Sequence, residues 1–157
     1  MRIRLIALLS GVVLAGSVGS LWAHCEIPCG IYGDELRFSS IQEDITTIEK
    51  SMKMITQLSG ATDGDAAQNQ NQLARWVANK ETHAGRIQEV VTQYFMTQRL
   101  KVPAETEGPA FEAYSKKLVL LHKMLRTAMK CKQSVDLTHT MALHDLTHAF
   151  QEAYNAK

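Results

Sequence analysis

No stretch of this 157-residue chain alternates apolar and polar residues for long enough to form a strand, which excludes a sheet-based fold. Charge of either sign is nearly absent as a net quantity, with 17 Lys and Arg against 16 Asp and Glu. A balance of +1 gives no reason to expect nucleic acid, an anionic membrane surface or a strongly acidic partner. The length suits one domain, no internal repeat is visible, and a second domain is not expected. Only three cysteines occur, Cys25, Cys29 and Cys131. The C-x-x-C-H order of a c-type haem and the H-E-x-x-H pattern of a zinc protease are both missing.

What is present begins with an export signal. Arg2 and Arg4 precede an apolar run from Leu5 to Leu14, followed by small residues and Leu21-Trp22-Ala23. Residues 1–23 are therefore set aside as a signal peptide that is removed. Leu21 departs from the small residue usual three places before a cut, and a cut after Ser17 would satisfy that rule. The run from Leu5 to Ala23 approaches the length of a membrane span, but Gly11, Gly16, Gly19 and the serines argue against an anchor. The mature chain is expected to be exported, periplasmic or secreted, with no membrane attachment. In that oxidising setting a Cys25–Cys29 disulfide is one reading of the paired cysteines.

Beyond residue 33 the apolar spacing predicts four amphipathic helices. Ile41, Ile45, Ile48, Met52 and Ile55 mark the first, which Gly60 and the polar stretch Ala61 to Asn71 should end. Leu73, Trp76, Val77, Ile87, Val90, Val91, Tyr94 and Phe95 share the face of a second, stopping near Leu100. Phe111, Tyr114, Leu118, Leu121 and Leu125 mark a third. Leu143, Leu146 and Phe150 mark a fourth, capped by Asp136 or Ser134. The fold class is all-α: residues 33–157 should form an up-and-down four-helix bundle behind an irregular N-terminal segment.

That segment concentrates the chemistry. His24-Cys25-Glu26-Ile27-Pro28-Cys29-Gly30-Ile31-Tyr32 has no regular period, yet it holds an imidazole, two thiols and a phenol. A cut after Ala23 would add a free amine and leave the Cys25 amide beside two thiols. Amine, ionised amide and thiolate in a square plane favour nickel(II) or copper(II) over zinc. Pro28 and Gly30 would let the loop curl so that both thiols reach one ion.

The pattern H-C-x-x-P-C-x-x-Y, directly after a processing site, resembles the nickel hook of the nickel superoxide dismutases, and the helical remainder is similar to that family's four-helix subunit. The resemblance implies one nickel ion per subunit. The His24 amine, the Cys25 amide and the Cys25 and Cys29 thiolates would form the plane, with the His24 imidazole axial. It implies that Tyr32 orders water or the incoming anion, that Glu26 acts mainly through its backbone amide, and that Pro28 shapes the loop. Tyr94, in a Tyr-Phe pair, would bond to Tyr32 from a neighbouring subunit of a homohexamer. Lys80 is a candidate basic residue supporting the site, and Ser39, Ser40 or Glu43 stand where the family orients its axial imidazole. The reaction implied is disproportionation of superoxide with nickel alternating between two oxidation states. The alternative is a non-enzymatic exported metal-binding bundle, which could also use His139, His144 and His148. For those three histidines a polar or interfacial face is the favoured reading.

Overall fold

A computed structural model describes residues 31–62 and 64–156. The signal segment and hook residues His24, Cys25, Glu26, Pro28 and Cys29 lie outside the described residues. Helix α1 spans Asp34–Ser59, α2 spans Ala66–Glu89, α3 spans Pro109–Gln133 and α4 spans Thr138–Asn155. No strand occurs among the described residues.

Helix α2 does not stop at Glu89. It continues as a π-helix over Val90–Arg99, in which Leu100 N–H reaches back to the Phe95 carbonyl at 2.9 Å and the Thr97 hydroxyl donates to the Thr92 carbonyl. Such wide turns are rare and recur at functional positions. This one carries Tyr94, Phe95 and Arg99.

Helices end where local chemistry stops them, with one departure from expectation. Asp65 caps α2 by accepting the amide protons of Ala67 and Gln68, so the helix starts inside the polar stretch expected to be a connection. Helical hydrogen bonding there needs only a cap and no apolar stripe. At α4 the Asp136 carboxylate accepts the Thr138 amide at 2.9 Å, and Ser134 in turn accepts the Asp136 amide. Gly108 enters α3 at φ +86°, a conformation side chains disfavour, and Pro109 follows at the first helical position, where its missing N–H costs nothing.

Each helix packs on its chain neighbours, and α4 closes on α1. The start of α1 meets the ends of both α2 and α4 through Asp34, while Gln88 of α2 meets Leu125 and Lys132 of α3. The helices therefore run up, down, up, down, as short connections dictate.

The core holds Ile41, Ile45, Ile48 and Met52 from α1, Ala84, Ile87, Val91 and Phe95 from the second helix, Leu121, Met124 and Ala128 from α3, and Leu143 and Phe150 from α4. Phe95 is fully buried, with its ring centroid 4.9 Å from those of both Phe38 and Phe150. Burying one such side chain contributes about 1.5–3 kcal/mol. The inward face of α2 is shorter than its apolar stripe. Val77 is exposed and Trp76 half-buried, because the first turns of α2 extend past the core and Lys80 occupies the next inward position. Cys131 is buried as expected, and burial pushes its thiol up to about 11, against a smaller opposing effect of the Lys80 charge.

Candidate functional site

The first turn of α1 directly follows the hook sequence, and its geometry is set by one carboxylate. Asp34 and Glu35 sit where the helix dipole favours negative charge. The Asp34 carboxylate accepts the Tyr94 hydroxyl at 2.5 Å, the Arg99 Nη2 at 2.7 Å and the Tyr154 hydroxyl at 2.9 Å. Arg99 Nε lies 3.3 Å from the Tyr154 oxygen, which closes the cluster. The ends of the π-helix and of α4 are thereby tied to the start of α1.

The protonation states follow from the contacts. Partial burial raises the Asp34 pKa, but the hydrogen bonds from Arg99, Tyr94 and Tyr154, with the Arg99 charge, outweigh it and hold the carboxyl below its usual 3.8. Burial and then the Asp34 carboxylate push the Tyr94 phenol up to about 12. Tyr154 is raised by burial, and Arg99 is raised by its hydrogen bonds to Asp34 and Tyr154. Asp34 is thus the anion of the cluster, and both phenols keep their protons as donors.

Tyr32 is fixed beside this cluster. Its backbone carbonyl lies 3.1 Å from the Tyr94 hydroxyl, its ring is 6.4 Å from the Tyr94 ring, and the Arg37 guanidinium stacks 4.1 Å from its centroid. The residue is 43% exposed. Behind it runs a polar groove of about 460 Å³ between α1 and α2, lined among others by Tyr32, Arg37, Asp44, His83 and Tyr94. Deep in this groove Asp44 meets His83 Nδ1 at 2.5 Å. Burial raises the Asp44 carboxyl, and the His83 contact opposes that only in part.

Of the residues singled out by sequence, Tyr32 and Tyr94 are brought together. Within the chain the contact reaches the Tyr32 carbonyl. The wide π-turn and the antiparallel packing of α1 and α2 make this possible. Lys80 does something other than support the N-terminal site. Its buried ammonium donates to the Cys131 carbonyl at 2.7 Å, to the Lys132 carbonyl and to Glu81 at 3.2 Å, so it closes the C-terminal end of α3. Ser40 and Glu43 line the groove, while Ser39 is exposed. Asp34, Arg37, Arg99, Tyr154 and the Asp44–His83 pair were not anticipated. An acidic residue opening the helix right after the hook pointed to Asp34, but nothing local pairs it with Arg99 or Tyr154, which lie 65 and 120 positions away.

Among the described residues, no group of three His, Cys, Asp or Glu side chains is placed to hold a metal ion. Fold and site together define an all-helical four-helix bundle with a polar cluster around the start of its first helix. The family model for nickel-containing superoxide dismutase matches residues 20–157, a span that includes the hook sequence and all four helices, and the chain belongs to that family. It is a nickel-dependent oxidoreductase that converts superoxide to dioxygen and hydrogen peroxide. No curated protein and no solved structure matches the chain.

Proposed function

We propose that the chain, cut after Ala23, holds one nickel ion in the segment from His24 to Cys29. The His24 amine and imidazole, the Cys25 amide nitrogen and the Cys25 and Cys29 thiolates would hold it. The donor set fits, since amide and thiolate donors suit square-planar nickel and lower its oxidation potential. Bound there, nickel supplies the one-electron couple that superoxide disproportionation requires.

The observation carrying the proposal is the anchoring of Tyr32. Its carbonyl and ring are held by Tyr94 and Arg37 at the point where the hook joins the bundle. The Arg37 guanidinium lies 4.1 Å from the Tyr32 ring centroid, so a cation stands beside this mouth. A positive group there attracts a small anion such as superoxide. Tyr32 orders the water or anion beside the hook, and water held by its phenol delivers the two protons that peroxide formation consumes. Tyr94 acts as a positioning residue, Glu26 through its amide, and Pro28 by setting the loop's curvature.

Ile31, Tyr32 and Leu36 are 75%, 43% and 62% exposed around the same mouth. An apolar fringe of this kind suits cover by other subunits, in keeping with a homohexamer that shelters the hooks. Export to the periplasm or beyond completes the reading. No helix among the described residues is long and apolar enough to cross a membrane.

The test uses protein processed to begin at His24, with nickel content and superoxide consumption measured on one sample. About one nickel per chain, with both nickel and activity lost in Cys25→Ser and Cys29→Ser, is expected. Tyr32→Phe should keep its nickel and change turnover or inhibition by small anions. Full activity in protein whose mature N-terminus lies well upstream of His24 would overturn the ligand set.

A further inference from the structure

The outward face of α4 carries a pair of imidazoles that neither the bundle core nor the N-terminal cluster uses. His144 and His148 lie one helical turn apart, with ring centroids 4.5 Å apart and Nε2 atoms 3.3 Å apart. Both are exposed, the His144 side chain by 52%. The core positions of the same helix, Leu143, Thr147 and Phe150, face the other way.

The separation of the nitrogens is informative. Two imidazole nitrogens bound at about 2.0–2.1 Å to one tetrahedral ion stand about 3.3–3.4 Å apart, whereas cis positions of a square plane would bring them to about 2.9 Å. The same separation admits an N–H to N hydrogen bond between the two rings, which a bound cation would replace. The other ring nitrogen of His144, Nδ1, faces the Asp145 carboxylate at 3.7 Å. At that distance the contact is a loose charge pairing and not a hydrogen bond, and Nε2 is the nitrogen turned toward His148.

We propose that His144 and His148 form a surface chelate for a tetrahedral divalent cation, zinc in the first instance, with water completing the coordination. The site is separate from the nickel hook and does not depend on it. Two ligands preset on one rigid helix act as a chelate, because the second imidazole binds as an intramolecular partner of the first.

The experiment is a calorimetric titration of zinc into the nickel-loaded enzyme, with nickel content checked before and after. One additional zinc per chain is expected. Loss of either imidazole in His144→Gln or His148→Gln should weaken uptake at least about tenfold, with helical content unchanged because both side chains are exposed. In parallel, the ring-proton NMR signals of His144 and His148 should shift together on zinc addition and return when a chelator is added. Zinc uptake equal in the double variant and the parent, or no uptake by the parent, would overturn the proposal.

Discussion

Replacing Asp34 with Ala removes the one acceptor that joins the start of α1 to the ends of the π-helix and α4. Three hydrogen bonds are lost, from Tyr94 at 2.5 Å, Arg99 at 2.7 Å and Tyr154 at 2.9 Å. A neutral bond contributes about 0.5–1.5 kcal/mol net and one to a charged group about 1.5–3 kcal/mol. Asp34 and Arg99 are only partly buried, at 24% and 34% side-chain exposure, so their pairing belongs at the low end of that range. Tyr94 is 6% exposed, so without Asp34 its hydroxyl falls back on the longer bond to the Tyr32 carbonyl at 3.1 Å rather than on water. The sum is about 2–4 kcal/mol of lost stability. Asp34→Asn keeps an acceptor for the phenols and should lose about half as much. The pH dependence follows from the depressed carboxyl. Its contribution is fully present above the ordinary value of 3.8 and disappears as pH falls through the lower folded value. Urea unfolding followed by circular dichroism, at fixed protein concentration, gives the loss for Asp34→Ala, Tyr94→Phe and the double variant. A coupling energy between Asp34 and Tyr94 below about 0.5 kcal/mol would refute the reasoning, because independent groups add within that margin.

Two further outcomes follow from buried groups elsewhere. Lys80→Met should cost about 2–4 kcal/mol in the same assay, because two carbonyls at the end of α3 lose the buried ammonium that satisfies them; a loss under 0.5 kcal/mol would mean that water replaces it at no cost. Cys131, buried and with its thiol raised to about 11, should resist a thiol reagent at pH 8 in the Cys25→Ser, Cys29→Ser background and react at once in urea. Rapid labelling of folded protein would show that this end of α3 opens.

The sequence by itself determined the features that depend on near neighbours. Helical spacing through Ile41, Ile45, Ile48 and Met52, and again through Leu121, Leu143 and Phe150, was enough to read four amphipathic helices, because a 3.6-residue period is a local property. The hook reading draws on the same kind of information, since its proposed donors all lie in the short segment from His24 to Cys29. Only the tertiary structure decided the rest. The apolar spacing of residues 90–99 is the same for an α- or a π-turn, so the wide turn that sets Tyr94 and Arg99 was invisible. Lys80 reads as a basic residue supporting the N-terminal site until packing places it under the carbonyls of Cys131 and Lys132. Asp34 reads as a first-turn acid until antiparallel packing brings Arg99 and Tyr154 to it from the far ends of two other helices. Local periodicity fixes which face of a helix turns inward. Which polar groups meet at its ends depends on how helices of different length and pitch register against one another, and that is settled only when the bundle closes.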